Sequence, residues 1–441
     1  MKGHRFKLEA VLILLCLCGP WAIPAQAEVT FHRIHPGMRK TPIAVPAFKT
    51  VTGNPEEKIL SVKAADLLAD TLEFTGYFKM IDRGAFLFDP EKDGVTSRSI
   101  NFRNWTVIGA EILITGDIKI SGGNIEMTMR LFDTFKGRML IGKKYSAALT
   151  QQRKMIRLFC SEVIYYLTGL RSFFESKIAF VSTGTGHKEI YISEFDGYKP
   201  RRFTNNKSIS LFPAWSSNGE WMAYTSYRKG QPDLYIRQLN GRRMNVVDKQ
   251  GINITPAWVP GKFSLAATLS FSGDQEIYLL TGTGKIIKRL TGKRGSDVSP
   301  TWSPDGKKFA FVSSRSGNPQ VYIKEINSNR IERITFEGKY NTQPNWSPAG
   351  NKIVFSSMQG GEINIFVFDL KTGATRQLTR YTGNNEAPSF SPDGTMIVFS
   401  SNREGPFRIY VMTAYGMDQR RLLALAGEQT NPKWSPNIVE E

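Results

Sequence analysis

From residue 178 onward, apolar and polar positions alternate in short runs bounded by Gly, Pro, Asn or Asp. Alternation with a period of two puts successive side chains on opposite faces of a strand, so each run predicts a short β-strand. The runs recur in one order. A Pro-x-aromatic run comes first, with its aromatic at 215, 258, 302, 346, 390 and 434, a period of 43 or 44 residues. A tight turn such as Pro304-Asp305-Gly306 leads into a second run: Lys308–Ser313, Ile353–Ser357 or Ile397–Ser401. A third carries an aliphatic-aromatic pair, from Ile190-Tyr191 and Leu234-Tyr235 to Ile409-Tyr410, and a fourth closes on Phe203-Thr204, Leu290-Thr291, Ile334-Thr335 or Leu378-Thr379.

Four short strands per repeat, with no helical stretch between them, predict propeller blades. The ends of the array are offset. Ile178–Ser182 has no Pro-x-Trp run before it, and Asn431–Pro436 has no second strand after it. The expected fold is a six-bladed ring in which the C-terminal strand completes the first blade and removes the open edges.

Upstream the periodicity changes. Asn54-Pro55-Glu56-Glu57 reads as a capped helix start, with Leu60, Ala64, Leu67, Leu68 and Leu72 on one face and Gly76 as its stop. A second helix is predicted over 151–167, its apolar face including Ile156, Phe159, Cys160 and Val163. Strands are expected at 42–48, 77–81, 111–120, 124–133 and 138–146. Together they predict an α/β domain with a mixed sheet over residues 41–172, followed by the propeller over 173–441.

The first 27 residues stand apart. Lys2, Arg5 and Lys7 precede an apolar run, and Ala25-Gln26-Ala27 offers a small-x-small cleavage site, so 1–27 reads as a secretory signal cut after Ala27. Residues 28–40 then read as an extended arm. The mature chain keeps one cysteine, Cys160, expected as a buried thiol on an apolar helix face.

Composition adds a basic balance of +19, or +17 without the signal. Acids are interspersed with the Lys and Arg residues, and no arginine-rich helix or base-stacking motif occurs, so nucleic acid is not an expected partner. Attraction to acidic protein or to the anionic envelope fits better. Catalytic signals are absent. There is no Gly-x-Ser-x-Gly elbow, and beyond the signal the histidines are His32, His35 and His187, none beside a nucleophile or a metal-ligand set. Thr281–Lys285 lacks the first Gly and the final Ser/Thr of a phosphate loop and joins two strands. No enzyme activity, cofactor or metal is expected. Asp305 and Asp393 read as turn caps, and the Trp series as wedges between blades.

The segments leading into the innermost strands rim one mouth and are polar and non-identical: 253–255, 296–299, 341–343, 384–386 and 429–431. They make the candidate binding surface, with Asn341, Thr342, Asn385, Glu386 and Thr430 among its residues. Aromatics are missing from these lead-ins, which weighs against a sugar-binding mouth.

The chain resembles the TolB family. The resemblance is carried by Thr41–Phe48, Ala64–Leu67, Gly76-Tyr77-Phe78, Ile81-Asp82-Arg83, Gly109-Ala110 with Gly116, the six Trp-Ser-Pro-Asp-Gly-like repeats and the final Pro432-Lys433-Trp434-Ser435-Pro436. It implies a periplasmic, non-enzymatic scaffold of the Tol–Pal system, monomeric and attached to the envelope only through partners, that serves outer-membrane constriction at division and envelope integrity. By the same resemblance, the lipoprotein Pal binds at the mouth through Ile252, Asn253, Thr255, Asp297 and Val298. TolA binds the arm, here Glu28, Val29, Phe31 and Ile34, and some bacteriocins use the mouth. Ile252 stands where enterobacterial relatives commonly have His. A coupled switch between arm and mouth is implied as well. Two alternatives stay open from the residues: a propeller that reads peptidoglycan or another envelope glycan, and a propeller-type hydrolase or lyase.

Overall fold

The computed structural model describes residues 39–89, 92–292, 295–328 and 330–438. The signal, most of the arm, and with them Glu28, Val29, Phe31 and Ile34, lie outside the described residues. Among the described residues, no helix is long and apolar enough to cross a membrane.

The N-terminal part is a mixed sheet with helices packed against it. Its strands are β1 (Thr41–Ala44), β2 (Lys49–Thr50), β3 (Phe78–Met80), β4 (Ile112–Ser121), β5 (Asn124–Asp133) and β6 (Arg138–Ala148), in the order β3-β1-β4-β5-β6 with β2 on β4. β1 runs parallel to β3 and β4, and β4, β5 and β6 form an antiparallel meander. α1 (Pro55–Glu73) buries Ala64, Ala65, Leu68 and Leu72. α3 (Gln152–Thr168) buries Ile156, Phe159, Cys160 and Val163, and Gly169 ends it in the left-handed region at φ 74°. A short helix, α2 (Phe102–Val107), escapes the sequence pattern because six residues are too few to show a 3.6-residue period.

The start of α1 is capped as expected, but the bond runs one way. The Asn54 side chain does accept the Glu57 N–H at 2.7 Å. Glu57 does not return the bond to residue 54. Its carboxylate takes the N–H groups of Thr52 at 2.8 Å and Gly53 at 3.2 Å with one oxygen, and that of Ile120 at 2.8 Å with the other. It thereby ties the helix to the end of β4.

Six four-stranded antiparallel sheets form the ring. The first joins the C-terminal strand Gln429–Trp434 to Lys177–Ser182, Glu189–Glu194 and Arg201–Arg202, as the sequence offset requires. Blades two to six open on the innermost strands Ser210–Trp215, Asn253–Trp258, Asp297–Trp302, Tyr340–Trp346 and Asn385–Phe390. Between blades lie apolar layers such as Leu234, Ile236, Val247, Trp258, Leu265 and Leu280. The Trp residues also carry hydrogen bonds from blade to blade: Trp258 Nε1 donates to Ala214 O and Trp302 Nε1 to Ala257 O, each at 3.1 Å. The two parts of the chain meet through Lys40–Asp418 at 2.8 Å, Arg153–Glu194 at 2.8 Å and Phe74 edge-on to Phe195.

Candidate binding mouth and axial channel

Each innermost strand begins at one mouth of the ring, where the equivalent position in the six blades holds Ser210, Asn253, Asp297, Asn341, Asn385 and Gln429. All are at most 1% exposed. Burial forces these polar side chains to find partners inside the protein. Asp297 receives both of its bonds from Arg315 Nη2, at 3.0 and 2.8 Å. Asn385 accepts from Arg403 Nη2 at 2.9 Å and donates to Gly383 O at 2.9 Å. Asn341 donates to Gln320 Oε1 at 2.8 Å and Glu337 O at 2.7 Å, and Asn253 donates to Lys249 O at 2.7 Å.

The Thr that closes the fourth strand completes this polar layer. Thr204, Thr291, Thr335 and Thr379 each accept a backbone N–H from the third strand, of Ile190, Ile277, Val321 and Ile365 in turn, at 2.8–2.9 Å. Each donates its hydroxyl to the side chain one residue before that N–H, respectively Glu189, Glu276, Gln320 and Asn364. The recurrent apolar-Thr ending is thus a polar clasp between strands.

The structure therefore divides the expected mouth residues. Asn253, Asp297, Asn341 and Asn385 lie beneath the rim and shape it through the loops they hold. Ile252, Val298, Thr342, Glu386 and Thr430 are half-buried. Burial pushes the Glu386 carboxyl above its ordinary range, and no charged neighbour acts on it. Thr255 is 9% exposed and faces the axis, its hydroxyl 2.8 Å from that of Thr268.

Two residues further on, every innermost strand turns left-handed: Phe212, Thr255, Ser299, Gln343, Ala387 and Asn431 have φ between 48° and 54°. A pairing irregularity accompanies it in all six blades, so each strand carries a bulge just before its Pro. These residues and the prolines after them line an axial cavity of about 100 Å³, which Lys433 also enters.

Two features of the site escape the sequence reading. Phe271, Phe336, Tyr340 and Tyr381 are 42%, 74%, 48% and 93% exposed at the lead-in mouth. They sit in the turns and connections just outside the lead-ins, so the mouth does have aromatic faces, contrary to expectation. Lys433 is the other. Its signal was the Lys in Pro432-Lys433-Trp434 where the other copies have Ala214, Ala257, Thr301, Asn345 and Ser389. Among the described residues, no cluster of His, Cys, Asp and Glu is arranged to hold a metal ion. Cys160 is fully buried and burial pushes its thiol far up, out of the reactive range.

Comparison with known proteins follows this anatomy. Residues 34–140 match the TolB amino-terminal domain, and residues 165–438 match the TolB beta propeller domain. The Tol-Pal system protein TolB of Desulfosudis oleivorans is 57% identical over 286 residues, covering 65% of each chain. The TolB homolog of Chlorobium chlorochromatii is 42% identical over 301 residues and 66% of each chain. The matches thus span just under two thirds of these relatives' own length. The crystal structure of TolB from Acinetobacter baumannii superposes with a TM-score of 0.79 at 26% identity, covering 90% of this chain and 97% of that one. With its α/β sheet, its six blades and its closing strand, this chain belongs to the TolB family.

Proposed function

We propose that this protein is an exported, non-enzymatic scaffold of the Tol–Pal system that binds the lipoprotein Pal at the lead-in mouth of the propeller. In this reading residues 1–27 are the export signal, 28–40 the arm that TolA captures, 41–172 the α/β domain and 173–441 the ring. The protein then works in the periplasm, for outer-membrane constriction at division and for envelope integrity, and bacteriocins would enter by the same mouth.

The observation that carries the reading is the layered mouth. A buried polar layer repeated in every blade holds a rim whose outward residues differ from blade to blade: Ile252, Val298, Thr342, Phe271, Phe336 and Tyr381. A common scaffold under a non-repeating surface of exposed aromatics and half-buried aliphatic groups suits recognition of one protein partner. Family membership supports the partner's identity.

Titration calorimetry with the soluble domain of Pal tests it. Val298→Asp and Tyr381→Ala should each weaken binding by about tenfold or more while the melting curve stays unchanged. Undiminished Pal affinity in both would sink the mouth assignment. Deleting residues 28–40 should abolish TolA capture and also change Pal affinity, because coupling between two sites is reciprocal.

The exposed aromatics favour one second reading, a mouth that stacks on envelope glycan. Co-sedimentation with purified, protein-free peptidoglycan that disappears in Tyr381→Ala would support that reading and displace the first.

A further inference from the structure

Lys433 enters the axial cavity with no counter-charge. It is the fifth residue of the closing strand Gln429–Trp434. Its backbone is fully engaged, paired with Ala179 across the sheet and accepting the indole N–H of Trp215 at its carbonyl. Nothing in the packing calls for a long side chain, since Ala214 and Ala257 serve the same position in two other blades. Of the residues around the cavity, Lys433 alone is ionisable.

Its surroundings offer no compensation. Innermost strand Ser210–Trp215, on one side, brings Leu211, Phe212 and Pro213 and no charge. Innermost strand Asn385–Phe390, on the other, brings Glu386, but the two groups form no ion pair and burial alone governs each. Lys177, at the start of the adjacent second strand, already has an interaction of its own. Among the described residues, no side-chain hydrogen bond engages Lys433, Asn431 beside it, or the Ser299 hydroxyl across the cavity. The Lys433 side chain is half-buried among the prolines of the collar, and partial loss of water pushes it down to about 8. A half-buried charge without a partner is stabilised by an opposite charge delivered to it.

We propose that the axial channel is a binding site for one small carboxylate, held by the Lys433 ammonium with the Asn431 amide and the Ser299 hydroxyl as neutral donors. The cavity of about 100 Å³ has room for an acetate-sized group beside the Lys433 ammonium. The proline collar sets low-polarity walls beside that group, which strengthens the pairing. The carboxylate has two possible sources: a free small acid, or the side chain of an Asp or Glu on a peptide that reaches down from the mouth.

The experiment is NMR titration of the full mature chain carrying ¹³Cε-labelled lysine. Sodium acetate and a short capped peptide with a single Glu are added separately at pH 7, with sodium chloride as the ionic-strength control. Saturable movement of the Lys433 signal by acetate supports the site and assigns it to free acids. Movement by the peptide alone supports it and assigns it to a side-chain carboxylate. In either case binding should fade as pH rises through about 8, where the ammonium is lost. Lys433→Gln, which resembles the Asn345 already tolerated in blade five, should keep the fold and weaken binding by about 30-fold or more. A Lys433 signal unmoved by both ligands, or equal binding by Lys433→Gln, would overturn the proposal. It stands whether or not Pal binds the mouth, since neither ligand is Pal.

Discussion

The indole N–H of Trp215 donates to the carbonyl oxygen of Lys433 at 3.0 Å, across 218 positions of sequence. The bond joins the innermost strand of blade two to the strand that closes blade one, where the ring is sewn shut. It is the same blade-to-blade bond that Trp258 makes to Ala214 and Trp302 to Ala257. Trp215→Phe removes the donor but keeps the apolar wedge, as Phe390 does in blade six. It should cost about 1 kcal/mol. Trp215→Ala should cost about 3–5 kcal/mol, because it also leaves a cavity. Urea denaturation of the two variants checks the order; equal losses would mean that the bond carries nothing.

Arg315 should matter more than its place near the surface suggests. Its guanidinium is the partner of Asp297, which is 1% exposed. Arg315→Met strands that carboxylate, a change on the order of 3–5 kcal/mol. Asp297→Asn should be far milder, because Asn385 with Arg403 already forms the same arrangement in blade six. Thermal melts of both variants measure the contrast.

Glu57 predicts a loss of stability in acid. Burial opposes its ionisation, but the N–H bonds from Ile120, Thr52 and Gly53 prevail and hold the carboxyl below its ordinary range. A depressed carboxyl contributes stability that is complete above its unfolded pKa and is lost as pH falls through the folded value. Glu57→Gln keeps one acceptor oxygen of two. It should lower stability by about 1–3 kcal/mol at pH 7, with the difference from the parent shrinking as the pH is brought below about 4. Denaturant curves at the two pH values decide it.

Asp393 carries the opposite sign. Burial pushes it above the usual range, outweighing the bonds from Ser391 and Thr395. The folded state then holds the proton more tightly than the unfolded chain, so this group's contribution falls as pH rises through the window between those two values. Asp393→Asn should be more stable than the parent at neutral pH and lose that advantage in acid. Asn218 fills the same turn position in blade two, bonded to the Ser216 hydroxyl at 2.7 Å, so the turn geometry survives. A variant that is less stable at pH 7 would contradict the sign.

Much of the architecture could be read one residue at a time. The 43–44-residue spacing of the aromatics, the tight turns and the offset at the two ends require six sheets and a shared first blade. α1 and α3 were legible because each runs for more than four turns and keeps one apolar stripe along most of that length. The site was less legible. Asn253, Asp297, Asn341 and Asn385 look like rim residues in a polar lead-in, yet all four are buried. Whether a polar residue faces solvent or a neighbouring arginine depends on strands that lie 18 positions away in the Asp297–Arg315 and Asn385–Arg403 pairs.

The chain's own pattern determined the repeat, the strand count and the terminal closure, because strand alternation and turn chemistry act over a few residues and simply recur. Tertiary structure alone decided which repeated positions meet at the axis. Six bulges bring residues more than 200 positions apart to one cavity, and only that convergence leaves Lys433 charged, half-buried and unpaired. Period and turn type are local properties of a sequence, whereas the electric environment of a side chain is set by everything folded around it.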